Sequence, residues 1–136
     1  MRIAFGTDES TELTRHLCDW LAGRGHEVRV VADGIAWPDV GHDVGRAVAA
    51  GRAEVGVVCC WTGTGVSIAA NKVPGVRAAL CTDRDTAAGA RKWNDANVLA
   101  LGLRLTSSVV AEEMLEAFLS TAPEESEAGN YRRLDR

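Results

Sequence analysis

The sequence predicts an α/β protein: a single Rossmann-like αβα sandwich built on a five-stranded parallel sheet. Two observations carry this. Short, apolar, β-branched runs alternate with longer segments whose apolar residues recur at helical spacing. The runs are apolar enough to be buried on both faces, as parallel strands are when helices cover each side. A length of 136 residues allows one domain with a real core.

Each element has its own signal. Residues 3–5 read as a short buried strand closed by Gly6, and residues 7–10 as a polar turn. Leu13, Leu17, Trp20 and Leu21 then mark an amphipathic helix over residues 10–23, ended by Gly23 and Gly25. Val28, Val30 and Val31 make a second strand. Pro38 suits an early helical position, and Val40, Val44, Ala47 and Val48 carry that helix onward. Residues 55–60 form the third strand, and residues 66–71 a helix stopped near Pro74-Gly75. Residues 76–81 form the fourth strand. Asp83 caps a helix running toward Trp93, residues 98–101 form the fifth strand, and residues 109–119 the last long helix. Right-handed crossovers are expected, with ligands bound beyond the carboxyl ends of the strands at a topological switch. The domain is expected to span residues 1–122. Residues 123–136 read as a polar tail, either a frayed end or an arm crossing to a partner subunit.

Composition narrows the function. The net charge of −4 and the lack of a basic stripe argue against nucleic-acid binding. No apolar run has the length of a membrane span. The start of the chain has no signal-peptide pattern, so a cytoplasmic protein is expected. Cysteines 18, 59, 60 and 81 follow no metal or thioredoxin spacing, and free thiols are the simplest account. His16, His26 and His42 show no metal-ligand spacing either.

The chemistry concentrates in residues 60–72. Cys60 stands where a strand ends and the turn Trp61-Thr62-Gly63-Thr64-Gly65 opens a helix. Such a turn aims backbone N–H groups outward, a seat for negative charge. A thiol base beside an anion-stabilising loop is machinery for moving a proton next to a carbonyl. The competing reading is a tight turn with a buried cysteine. If the strand continues through both residues, Cys59 and Cys60 face opposite sides. Asp8, after the first strand, either caps the first helix or reaches the same crevice as Cys60. Thr62 and Asn94 can likewise serve a turn or a ligand. Lys72 is expected to cap its helix, and Cys18, Cys59 and Cys81 to be core thiols.

With residues 3–8, 60–72, 73–81 and 94–102 taken together, the chain resembles the ribose-5-phosphate isomerase B and galactose-6-phosphate isomerase family over nearly its whole length. The resemblance implies aldose–ketose isomerisation of a sugar or sugar phosphate through a cis-enediolate, without metal or organic cofactor. It implies that Cys60 removes the proton beside the carbonyl, that Thr62 assists ring opening, and that the N–H groups of Trp61, Gly63, Thr64 and Gly65 stabilise the enediolate. Asp8 and Asn94 would contact sugar hydroxyls. It also implies homodimers or dimers of dimers with sites at the subunit interface.

The departures are specific. Trp61 stands where the family usually has glycine, and Glu9 and Trp93 where it has histidines. Trp37 replaces a usual tyrosine, Asn130 and Leu134 fall where arginines are usual, and Tyr131 falls where histidine is. Tyr131 and Arg133 are the tail's candidate substrate contacts. Lost cations and an added Glu9 disfavour the usual phosphate seat. Trp37, Trp61 and Trp93 offer flat surfaces for a sugar face or apolar group. Weak activity on ribose 5-phosphate is therefore expected. The alternative is a sugar-binding or regulatory relative that kept the cleft and lost turnover.

Overall fold

The structure, a computed structural model, describes residues 1–135. Five strands, β1 (Arg2–Thr7), β2 (Glu27–Asp33), β3 (Val55–Cys60), β4 (Ala78–Leu80) and β5 (Val98–Gly102), pair in parallel in the order β2-β1-β3-β5-β4. Helices α1 (Glu12–Gly23), α2 (Trp37–Ala49), α3 (Thr64–Asn71), α4 (Arg84–Asn94), α5 (Ser108–Ser120) and the short α6 (Ala128–Tyr131) complete it. This is the Rossmann-like αβα sandwich the alternating pattern predicts.

Two cores lie on the two faces of the sheet. Ile3, Phe5, Val57, Cys59, Leu99 and Leu101 meet Leu17 and Leu21 of α1, Ala87 of α4, and Met114, Leu115 and Phe118 of α5. Ala4, Val58, Cys60, Val98 and Ala100 meet Val40 and Val44 of α2, and Val66 and Ala70 of α3. Cys59 and Cys60 therefore do face opposite sides. The second face is built of small residues, which lets α2 press close. A Cβ on Gly56 would lie 2.6 Å from Val44 Cγ1, and one on Gly41 2.5 Å from Ala69 Cβ.

The strand order explains where a ligand can sit. From β1 the chain crosses to β2 on one side, then returns to place β3 on the other. The β1/β3 boundary is thus a switch point, and its carboxyl end opens between the two diverging connections. Asp8 follows β1 there, and Cys60 ends β3.

Local chemistry sets the ends of the elements. Thr11, not Asp8, caps α1: its side chain accepts the Thr14 N–H at 3.2 Å, and Thr14 Oγ1 accepts the Thr11 N–H at 2.9 Å. That leaves the Asp8 carboxylate without a capping role. Lys72 is the C-cap of α3, and Asp83 caps α4, as the sequence indicates. Strand β4 is shorter than residues 76–81 because side chains take over its backbone bonds. Asn97 Oδ1 accepts the Arg77 N–H at 2.8 Å, and the Asn71 amide bonds both the N–H and the carbonyl of Ala78.

The C-terminal segment is folded rather than frayed. Residues Glu125–Glu127 and Arg132–Asp135 form 3-10 turns on either side of α6, and Ala128 and Tyr131 are buried. Glu124 N–H donates to the Lys92 carbonyl at 2.9 Å, and Arg77 Nη1 meets Asp135 Oδ2 at 3.1 Å. Among the described residues, no helix is long and apolar enough to cross a membrane.

Candidate active site

The Cys60 loop is held by the end of β5. The Leu103 N–H donates to the Cys60 carbonyl and the Arg104 N–H to the Trp61 carbonyl, both at 2.9 Å. Gly63 has φ 81°, and a Cβ there would lie 2.8 Å from the Leu101 carbonyl carbon and 2.9 Å from Gly102 N. Only glycine has both the left-handed conformation and the clearance. Gly102 reciprocates, since a Cβ on it would lie 2.7 Å from the Thr62 carbonyl oxygen. The loop and the β5 exit are packed backbone to backbone.

This packing presents the first turn of α3. Gly63 is its N-cap, and among the described residues no side chain caps it. Thr62 Oγ1 and Thr64 Oγ1 lie 2.8 Å apart and hydrogen-bond each other instead. The leading N–H groups of the helix are thus left for a ligand. The indole of Trp37 lies over Gly65, where a Cβ would meet ring atoms at 2.8–2.9 Å.

Asp8 closes the crevice from β1. Its N–H donates to the Cys59 carbonyl at 3.3 Å, which ties it to the last residues of β3. Its Oδ1 is buried and has no hydrogen-bond partner among the described residues. A buried carboxylate oxygen without a donor is costly and points to a missing one. Glu9 is exposed, and its carbonyl accepts the Thr7 hydroxyl at 2.7 Å.

The four thiols differ. Burial pushes Cys59 far up, with Cys18, Cys60 and Asp8 adding to it. Burial, then Asp19 and Asp33, push Cys18 up to about 11. Burial and Asp83 do the same to Cys81, also to about 11. These three stay protonated near neutral pH and suit the role of core thiols. Cys60 is buried at 5% exposure on the α2/α3 face.

One chain does not gather every candidate residue. Asp8, Cys60 to Gly65 and Trp37 meet at the carboxyl end of the sheet. Trp61 is exposed and turns toward a cavity of about 700 Å³ lined by Thr11, His16 and Leu103. Trp93 and Asn94 end α4, four residues before β5 begins, and so lie at the opposite end. The five residues of β5 span about 13 Å at roughly 3.3 Å per residue, so the separation is real. Trp93 folds back over Gly89, half-exposed, and both residues line a groove of about 540 Å³ that runs along α4 to Leu80, Cys81 and Asp85, where Leu80 lies against Gly63 of the loop. Tyr131 is buried in its own chain, and Arg133 is exposed in the closing turn.

Sequence reasoning missed Arg104. Its main-chain bond to Trp61 makes it the arginine placed beside the loop. Its position two residues after the Gly102 that packs under Thr62 is the signal that marks it. Among the described residues, no group of three or more His, Cys, Asp or Glu side chains is arranged to hold a metal ion.

A doubly wound sheet with a thiol, an uncapped helix start and an orphaned carboxylate at its switch point defines a small α/β protein whose crevice offers an acceptor and a set of N–H donors to a polar ligand. Residues 3–136 match the family described as Ribose/Galactose Isomerase, and the chain belongs to that family. It is 33% identical to a D-erythrulose-4-phosphate isomerase of Pectobacterium atrosepticum, over 100% of this chain and 98% of that one. It is 37% identical to the ribose-5-phosphate isomerase B of Escherichia coli, over 87% of this chain and 83% of the relative. Among solved structures, the Clostridium thermocellum ribose-5-phosphate isomerase B superposes with a TM-score of 0.92 at 37% identity, covering 99% of this chain and 95% of that one.

Proposed function

We propose that the protein is an aldose–ketose isomerase acting on a sugar phosphate through a cis-enediolate. The observation that carries this is the unpartnered Asp8 Oδ1 in the same crevice as Cys60 and the uncapped start of α3. Asp8 accepts a sugar hydroxyl. Cys60 Sγ takes the proton from the carbon beside the carbonyl and returns it to the neighbouring carbon. The N–H groups of Trp61, Gly63, Thr64 and Gly65 offset the charge developing on the oxygens, and Thr62 helps shift the oxygen-bound proton. The reaction needs no cofactor in this scheme.

The substrate in this reading is a phosphosugar other than ribose 5-phosphate. Glu9, Trp93, Asn130 and Leu134 stand where the family usually holds cationic or proton-handling groups. Trp37, lying over Gly65 at the start of α3, takes up space beside the loop, which favours a shorter sugar. The relative named for D-erythrulose 4-phosphate, similar over its whole length, points the same way. In this reading Arg104 and, from a second copy, Arg133 meet the phosphate.

Asn94 and Trp93 serve the Cys60 site of a second copy, so the working unit is a homodimer or a dimer of dimers. Residues 123–135, with Tyr131, form the segment next to that end, through Glu124 on Lys92 and Asp135 on Arg77. Four free thiols suit a reducing, cytoplasmic setting, and neither nucleic acid nor membrane is a partner.

Purified protein incubated in deuterated solvent with four-, five- and six-carbon sugar phosphates and free sugars tests this reading. Exchange at the carbon next to the carbonyl supports it, with four-carbon phosphates turned over better than ribose 5-phosphate. No exchange across the panel sinks the isomerase, and efficient turnover of ribose 5-phosphate sinks the substrate choice. The deep burial of Cys60 favours one competing reading, a sugar-binding relative without turnover. Saturable sugar binding without exchange would establish that one instead.

A further inference from the structure

At the amino-terminal rim of the sheet, away from Cys60, lies a separate cavity of about 250 Å³ lined by Arg2, Arg29 and Arg52. We propose that it binds a small dianion of the phosphate class, independently of the isomerase site. Its volume falls below the roughly 300–1,000 Å³ of pockets for drug-sized ligands, and suits an inorganic ion or the phosphate end of a metabolite.

The backbone explains why the arginines converge. Ala4 pairs with Arg29 and Arg2 with Glu27 across the parallel β1–β2 ladder. Alternation then sends Arg2 and Arg29 to the face of Ala4, the side that α2 covers. Helix α2 ends at Ala49, short of the strand starts, and the turn at Gly51 brings Arg52 to the same rim. Arg2 Nη1 donates to the carbonyls of Gly51 at 3.0 Å and Arg52 at 3.5 Å, so its guanidinium is held in place before a ligand arrives.

The charge balance favours an anion. None of the three arginines belongs to an ion pair among the described residues. Glu27 is the one carboxylate on the cavity wall, and Glu54 spends an oxygen on the Arg2 main-chain N–H at 2.8 Å. A charge on an exposed edge strand guards against strand addition, which would account for Arg29 on β2. It does not account for Arg2 from β1 and Arg52 from the α2–β3 turn meeting it around one cavity. Guanidinium groups bind phosphate oxygens through paired, directional N–H bonds, a stronger fit than a diffuse positive patch provides.

The experiment titrates the full-length protein with inorganic phosphate and pyrophosphate, read by calorimetry and thermal shift. It compares wild type, Cys60→Ser and the double variant Arg29→Ala/Arg52→Ala. Wild type and Cys60→Ser should both bind, and the double variant should bind about tenfold or more weakly. Its rate on the best substrate of the isomerase panel should not change. Unweakened binding by the double variant places the anion elsewhere and overturns the proposal. So does the absence of saturable binding to wild type at about 10 mM, far weaker than paired guanidinium recognition provides. Should the double variant fail to fold, the single exposed changes Arg29→Gln and Arg52→Gln decide, since each must weaken phosphate binding. Loss of isomerase activity in Cys60→Ser bears only on the catalytic reading, so the two proposals fail separately.

Discussion

Cys59 and Cys60 are neighbours in sequence with opposite surroundings. Cys59 packs among Phe5, Leu17 and Leu101, whereas Cys60 faces α3 at the mouth of the β1/β3 crevice. Replacing Cys60 by serine should lower solvent-deuterium exchange by about 10²–10⁴-fold, the usual worth of a positioned proton-transfer group, and leave the melting temperature unchanged. The two glycines of the loop should behave differently. In Gly63→Ala the methyl meets the backbone of Leu101 and Gly102 at a φ of 81°, and neither can move cheaply. Urea unfolding should show a loss of about 1–3 kcal/mol, with activity falling as the loop shifts. In Gly65→Ala the methyl first meets the half-exposed Trp37 ring, which can swing away. That variant should lose less stability and change KM more than kcat.

Helix ends are where single residues act on whole elements. Ser107 caps α5 through the Val110 N–H at 3.2 Å, and Ser107→Ala should cost about 0.5–2 kcal/mol in chemical denaturation. Asp83 caps α4 differently, because it can titrate. Its bonds from the Thr86 hydroxyl and N–H hold its carboxyl below the ordinary value of 3.8. A depressed folded-state pKa adds stability that is complete above the unfolded value and lost as pH falls through the folded one. Thermal melts should therefore show a gap between wild type and Asp83→Ala that is full at about pH 6 and shrinks below about pH 4. A gap that is constant with pH would mean the cap works without its charge. Helix α3 lacks such a cap, which is the feature that leaves its N–H groups to a ligand.

At the scale of the molecule, Cys60 and Asn94 lie at opposite ends of the sheet. If Asn94 completes a second copy's site, two dead proteins should rescue each other. Cys60→Ser and Asn94→Ala, each inactive alone, should regain about a quarter of wild-type activity after unfolding and refolding as an equal mixture, since half the dimers are mixed and each holds one intact site. No recovery would place Asn94 outside the shared site. The C-terminal segment belongs to the same end. It buries Tyr131 and ties Asp135 to Arg77, whose guanidinium also holds Asp95 directly after Asn94. Truncation after Ala122 should lower stability by about 1.5–3 kcal/mol from the lost Tyr131 burial and should impair turnover.

The type and order of the strands and long helices, the turn that follows Cys60, and the opposed faces of Cys59 and Cys60 are all legible in the amino-acid order. These rest on local periodicity and on glycine, which act within a few residues. The amino-acid order also carried the family resemblance, because those same residues are contiguous. The strand order β2-β1-β3-β5-β4 emerges on folding, because it depends on pairing between segments far apart in the chain. That order brings Asp8 beside the end of β3, lays Gly102 and Arg104 under the Cys60 loop, and carries Trp93 and Asn94 away from it. Thr11 took the cap that Asp8 had an equal claim to by composition, since a capping box needs two side chains in register. The polar segment after residue 122 folds because Arg77 and the end of α4 offer it partners, and nothing within the segment announces them.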